Sequence, residues 1–496
     1  MATKAYTNKG IVLLLACMAQ FMVVLDIAIV NVALPSIQQD LGIEQGTLQW
    51  IVIAYGLTLG GFLLLGGRLA DLLGRRRMLL TGMTLFAAAS LLAGLAGSAE
   101  LLIGARALQG FGAALLAPAA LSILAVAFAE GAERNRALGI FGAVTGISAS
   151  VGVIASGLIT DSAGWRWVFL INVPIGVLLI AMAASFLPVD ARDGRRSERF
   201  DIAGAVTVTA GLLLLVYALN RGADLGWGSW STLGLFAASV VMLCAFVQIE
   251  ARSRSPLVPG SALRNRTLVA ANISAVLTFG AVFSFIFLGS LLMQEVLGYS
   301  PTRTGLAWLA TTVMSFVAAA ITGAKLAAVV GVRRLLVVGL SLLAIAALLL
   351  TRIPAGGHYA TDLLPALLLA GVAGGLAAPA AQIAALSGVT HSMTGLASGL
   401  IETMREIGGA VGVAAVSTIL VSRAGEIAGA ADPVARGLAA ANAFHAAYWV
   451  IFGVAALGAL TAAIAFPRHT TQETEFDPPP SHVSIVPEPI EESAQI

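Results

Sequence analysis

Residues 66–79 read GGRLADLLGRRRML, a short charged loop between two apolar runs, and the same shape returns 257 positions later as GAKLAAVVGVRRLL at 323–336. Gly66 is answered by Gly323, Arg68 by Lys325, Leu69 by Leu326, Gly74 by Gly331, and Arg76 and Arg77 by Arg333 and Arg334. Asp71 is not answered, because Ala328 stands in its place. A repeat that keeps a small residue, a cation and a turn glycine between long apolar stretches predicts two similar halves in tandem, the arrangement of many transporters. The lost acid predicts that the halves do different work.

The repeat extends well beyond this loop. Leu41 and Gly42 followed by Trp50 match Leu297 and Gly298 followed by Trp308, and Gly110-Phe111-Gly112 leading to Pro118 matches Gly371-Val372-Ala373 leading to Pro379. Gly139 and Gly152 pair with Gly399 and Gly412, at offsets that stay between 256 and 261. With 496 residues, 58% hydrophobic and 11% charged, the chain falls far below the roughly 25% charge of soluble domains. It belongs in a bilayer.

A spanning helix needs about 20 mainly apolar residues. Fourteen such runs are present, at 11–34, 48–65, 78–97, 101–128, 137–159, 167–187, 202–219, 233–249, 268–293, 307–330, 335–351, 363–386, 396–420 and 443–466. The fold expected is therefore an all-α integral membrane protein of 14 transmembrane helices. Two pseudo-symmetric six-helix bundles occupy 1–189 and 261–469, a linker and two-helix insert occupies 190–260, and a polar, acidic, proline-rich tail at 470–496 is expected to be disordered. The first run has no small-residue cleavage site and carries Asp26, so it is expected to stay in the mature chain.

With the amino terminus in the cytoplasm, that side receives 20 of the 28 Lys and Arg, the other face six, and Arg106 and Arg405 lie inside helices. The skew follows the positive-inside rule with both termini cytoplasmic. Cys17 and Cys244 sit in apolar runs and predict neither a disulfide framework nor a metal cluster. None of Lys4, Lys9 and Lys325 follows a phosphate-binding glycine loop, and neither H-E-x-x-H nor G-x-S-x-G is present. No cofactor, metal, nucleic acid partner or enzymatic activity is expected, and the chain is read as a monomer.

An ionised group at mid-bilayer costs roughly 2.5–3.5 kcal/mol on insertion scales, so those present face protein or water and invite a functional reading. Asp26 and Arg106 qualify in the first and fourth runs. Glu402, Arg405 and Glu406 share one face of the thirteenth, where the first half of the repeat has Gly142, Thr145 and Gly146. Each set has two readings: proton or cation handling, or an ion pair that only locks helices together. The glycines of the fifth and thirteenth runs either let helices slide or simply pack them tightly. Residues 67–77 gate one face or only anchor it.

At these residues the chain resembles the fourteen-span drug:proton antiporter branch of the major facilitator superfamily. LDIAIVNVALP at 25–35 is similar to that branch's first-helix signature, with Ala28 where Thr is usual. GGRLADLLGRRR is similar to the superfamily's loop between helices 2 and 3, and LLIGARALQGFGAA at 101–114 to its helix-4 motif. WRWVFLINVPIG at 165–176 is typical of the branch. The helix-5 motif departs from its pattern: Val153 replaces Pro and Ser156 replaces Gly between Gly152 and Gly157. The resemblance implies gating by Gly67, Asp71, Gly74, Arg75 and Arg76, a link of Arg106 to proton transfer, and a helix-5 role for Gly152 and Gly157. As ionisable groups inside helices, Asp26, Glu402, Arg405 and Glu406 are expected to share in the proton coupling. The resemblance further implies export of small amphipathic or cationic drugs against proton entry across a bacterial plasma membrane.

A midplane cavity is expected to be lined by Asn31, Tyr55, Gln109, Phe111, Phe283 and Phe287. The chief rival is a carrier of another solute on the same fold, importer or metabolite exporter. A membrane sensor or scaffold, and a membrane-embedded enzyme, are remoter readings.

Overall fold

Hydrocarbon offers a backbone no hydrogen-bond partners, so apolar runs of this length must close as helices. The computed structural model describes residues 8–189, 201–253, 256–354, 356–423 and 433–466. The arginine-rich linker at 192–199 and the acidic tail at 470–496 lie outside the described residues.

Fourteen long helices follow in chain order: Lys9–Leu41 (α1), Gln45–Leu73 (α2), Arg75–Gly94 (α3), Ala99–Ala127 (α4), Ala132–Ala163 (α5), Asn172–Phe186 (α6), Ile202–Leu225 (α7), Trp230–Arg252 (α8), Arg266–Leu291 (α9), Leu309–Ile321 (α10), Val332–Leu350 (α11), Leu364–Leu386 (α12), Thr394–Ser422 (α13) and Pro433–Ala465 (α14). Among the described residues, 13 spans are long and apolar enough to cross a membrane. The remaining helix, α5, has 32 residues and a length of about 48 Å, against a hydrocarbon thickness of ~30 Å.

The helix starts are written in polar residues. Ser98 accepts the Leu101 N–H at the head of α4, Asp201 accepts the Gly204 N–H at α7, and Asn265 accepts the Leu268 N–H at α9. Between α2 and α3 the chain turns at Gly74 with φ 104°, and between α10 and α11 at its repeat partner Gly331 with φ 83°. Side chains rarely adopt that region, which accounts for the return of glycine in the repeat.

Helix contacts carry the duplication into three dimensions. In the first half α2 and α3 pack on α4, and α1 packs on α5; in the second, α10 and α11 pack on α12, and α9 packs on α13. Arg76 donates to the Ala184 carbonyl of α6 at 2.6 Å, and its counterpart Arg333 donates to the Ala463 carbonyl of α14 through Nε at 3.0 Å. The halves meet where α2 crosses α13 and α5 crosses α10. The inserted helices α7 and α8 pair with each other, and α7 lies against both α2 and α13. Burial separates their roles: 89% of the α4 span is buried but only 11% of α8, so α4 is central and α8 faces outward.

Candidate functional site

Asp26 on α1 and Arg106 on α4 form a buried ion pair between Oδ2 and Nη1. The charges are not left to each other alone. Asp26 Oδ1 accepts from Gln109 Nε2 at 3.0 Å and from Asn172 Nδ2 at 3.1 Å. Arg106 donates from Nη1 to Gln109 Oε1 at 2.9 Å and from Nε to the Ile51 carbonyl of α2 at 3.0 Å. Gln109 Nε2 also donates to Ser90 Oγ at 2.7 Å. Four helices thus meet on one carboxylate and one guanidinium, with α3 joined through Gln109, and such multiple satisfaction lets a buried charge pair persist. The Arg106 guanidinium stacks 4.2 Å from the Tyr55 ring centroid, and the Tyr55 hydroxyl donates to the Val23 carbonyl.

A second cluster lies on α13. Arg405 contacts Glu402 at 2.5 Å through Nη1, and Nη2 and Nε reach Glu406 Oε1 at 3.0 and 3.2 Å. Glu402 and Arg405 are buried, whereas Glu406 is 19% exposed and lines a cavity of about 280 Å³. Two carboxylates and one guanidinium leave one negative charge in excess when all are ionised. Tyr55 stands between the clusters, within electrostatic reach of Asp26 and Arg106 on one side and of Arg405 and Glu406 on the other.

The residues expected to line a midplane cavity fall in different places. Of the residues anticipated there, Phe283 lines this cavity. Tyr55 and Gln109 are buried in the Asp26 network, Phe111 packs edge-on against Phe62 at 4.9 Å, and Phe287 packs on the core around Phe285. Asn31 and Gly157 lie on α1 and α5, but the surroundings of Asn31's side chain and of Gly157 are outside the described residues. This cavity is built from α2, α7, α9 and α13, with Gly56, Gly60, Val216 and Leu219 on its walls. A second cavity of about 450 Å³ opens between the ends of α7 and α8 beside Asp201 and Arg252, away from both clusters.

The loop residues sit where the halves meet. Asp71, its side chain 2% exposed, accepts the Gly395 N–H at 2.9 Å and the Leu396 N–H at 2.8 Å. These are unpaired donors of the first turn of α13, where a negative charge also meets the positive end of the helix dipole. Arg75 donates to Asp71 at 3.3 Å and to Ser122 at 2.8 Å, and Ser122 shares a 3.0 Å hydrogen bond with Thr394. Gly67 lies against the backbone of Gly395 and Gly399. The equivalent crossing, α5 on α10, has no acid at Ala328; there Glu130 accepts the Gly388 N–H at 3.0 Å and Arg134 donates to the Leu386 carbonyl. Gly152 packs α5 onto α1 beside Ala28, within one half.

At the α5 crossing a Cβ on Gly139 would lie 2.5 Å from Gly323 Cα and 2.9 Å from the Ala319 carbonyl oxygen. Backbone must then move. Overpacking of this kind costs roughly 1–3 kcal/mol, so Gly139→Ala is expected to slow transport about tenfold. Gly97→Ala, where a Cβ meets nothing within 4 Å, is the neutral control in a whole-cell drug-accumulation assay.

Ser90, Asn172 and Glu130 were not anticipated as site residues. Asn172 lies within the quoted 165–176 segment, and a lone amide in an apolar run was the available signal; Ser90 and Glu130 had none.

Helices joined as two repeats, buried charges that hydrogen bonds satisfy, and a cavity between them define a membrane carrier, not an enzyme. The Major Facilitator Superfamily model matches residues 16–413 and, in an overlapping second match, 272–492. The chain belongs to that superfamily, in its drug-efflux family. It is 37% identical over 412 residues to the puromycin resistance protein pur8 of Streptomyces alboniger, covering 83% of this chain and 81% of that one. It is 38% identical over 408 residues to the cephamycin export protein CmcT of Amycolatopsis lactamdurans, covering 82% and 84%. The lincomycin resistance protein of Streptomyces lincolnensis is 33% identical over 417 residues, 83% of this chain and 84% of that one. The fold is shared with the human organic anion transporter MFSD10 at TM-score 0.66 and 14% identity, over 90% of this chain and 99% of that one. The proton:xylose symporter XylE superposes at TM-score 0.59 with 15% identity, over 91% and 94%.

Proposed function

We propose that this chain is a proton-coupled exporter of amphipathic, preferentially cationic drugs or antibiotics. The observation that carries the reading is Glu406: a partly exposed carboxylate on the cavity wall, held by Arg405, in a cluster with one negative charge in excess. A cationic substrate entering the cavity competes with Arg405 for that carboxylate. Protonation of Glu406 cancels the attraction, so a proton arriving from outside and a bound cation exclude each other, which is the requirement for exchange. Asp26 and Arg106 are assigned to proton coupling as the second charged pair, with the Tyr55 ring stacked on Arg106. Relatives named for puromycin, cephamycin and lincomycin support an antibiotic as the exported class.

Residues 1–189 and 261–469 act as the two rocking bundles, with 190–260 as linker and insert. The protein works as a monomer in the bacterial plasma membrane with both termini cytoplasmic. The skew of cations toward the face bearing Arg75, Arg76 and Arg77 supports that orientation.

The test uses everted vesicles with an imposed proton gradient and an acridine dye as the proton reporter. Adding ethidium is expected to release protons through the native chain and not through Glu406→Gln. Ethidium accumulation without proton movement would refute coupling, and a solute that moves with the protons would favour the symport alternative.

A further inference from the structure

The inserted helices have no counterpart in the repeat, yet one of them borders the cavity. α7 is fastened to α2 at several levels. Arg221 donates to Gln49 at 3.1 Å, Tyr217 stacks on Trp50 with centroids 5.8 Å apart, and a Cβ on Gly61 would meet Leu213 Cγ at 2.6 Å. Beyond α8, Arg68 of α2 donates to the Pro256 carbonyl at 3.3 Å. α7 therefore belongs mechanically to the first half. Its other flank lies against α13, where Val216 and Leu219, 5% and 9% exposed, face the cavity shared with Glu406.

The rest of the lining is uneven in size. α2 offers Gly56 and Gly60, α13 offers Gly409, Ala410 and Ala414 beside Val413, and α9 offers Phe283. Walls of glycine and alanine make room but give little apolar contact, whereas a buried branched side chain contributes dispersion and excludes water. The α7 pair thus supplies, together with Phe283 and Val413, the branched and aromatic surface that a ligand over Glu406 would touch. It also stands in the seam between α2 and α13, on the side where α8 faces outward.

We infer that the two-helix insert is part of the substrate site: Val216 and Leu219 of α7 form one of its walls, select which lipophilic cation fits over Glu406, and close the seam between α2 and α13. The inference rests on the export reading for its ligand class but not for its geometry. α7 stays fixed on α2 and slides over the small residues of α13 when the halves rock, so the wall shifts relative to Glu406.

Two measurements test it on the full chain in nanodiscs. In a Cys17→Ala, Cys244→Ala background, Val216→Cys and Leu219→Cys are treated with a trimethylammonium methanethiosulfonate and with its sulfonate analogue. The cationic reagent is expected to react about tenfold faster, because the local potential concentrates cations. Adding Glu406→Gln removes that preference. Equal rates for both reagents, or no reaction at either position, overturn the wall.

The second measurement is tetraphenylphosphonium binding. Val216→Phe and Leu219→Phe are expected to weaken it about tenfold, the scale of misfit in a packed pocket, while Trp230→Ala at the exposed start of α8 leaves it unchanged. Unaltered binding in both phenylalanine variants counts against the inference. If the native chain ignores tetraphenylphosphonium while the thiol pattern holds, the cationic-export reading fails and the α7 wall stands.

Discussion

Arg106→Ala is expected to abolish transport and to destabilise the protein by about 3–5 kcal/mol, the cost of stranding one charge of a buried pair. Asp26 is fully buried, and without the guanidinium it keeps only the amide donors of Gln109 and Asn172. Asp26→Asn strands Arg106 in the same way, with Gln109 and the Ile51 carbonyl as its remaining acceptors. The single variants cannot separate a lock from a proton carrier, since either role predicts failure. The double variant Asp26→Asn, Arg106→Ala can. With both charges gone, much of the stability returns, because a buried pair and a neutral replacement are often nearly equal in free energy. Proton-driven export is expected to stay absent in the double variant, as followed by thermal denaturation in detergent and drug efflux in vesicles. Recovery of efflux along with stability would reduce the pair to a lock.

How far this site could be read from sequence depends on what each residue has to touch. The helices and the duplication were legible because apolar length and glycine spacing are local properties: Gly74 and Gly331 return because each turn needs positive φ. Asp26, Arg106 and the α13 trio were legible because a charge in an apolar run is conspicuous. The cavity was not. Its walls include Gly56, Gly60 and Ala410, which carry no chemical mark, and α7, which the repeat does not explain. Tyr55 is expected there as aromatic lining, and Gln109 is expected beside it. They are consumed by Arg106, one by stacking and the other by hydrogen bonding. Rotation of one helix about its axis decides between a cavity and a network, and it is fixed by packing partners hundreds of residues away, as with Asp71 and Gly395.

That contact carries the other large effect. Asp71→Ala is expected to open the arginine-rich face and lower transport by about a hundredfold. Two hydrogen bonds from α13 to a carboxylate contribute roughly 1.5–3 kcal/mol each, and the helix dipole adds up to ~2 kcal/mol in a partly buried setting. Conformers of a carrier differ by only a few kcal/mol, so losing even about 3 kcal/mol shifts their ratio by roughly 150-fold. Asp71→Asn should fall between, because its amide oxygen can still accept one N–H but brings no charge. Arg75→Ala should cost less than either, since Arg75 meets Asp71 only at 3.3 Å and is 19% exposed. The readout is labelling of Ser398→Cys, at a fully buried position of α13, by a water-soluble maleimide applied to the arginine-rich face. Labelling should rise in the order native, Arg75→Ala, Asp71→Asn, Asp71→Ala. A flat series would mean that glycine packing at Gly67, Gly395 and Gly399 holds the halves together unaided, and that the unmatched acid of the repeat is not the latch.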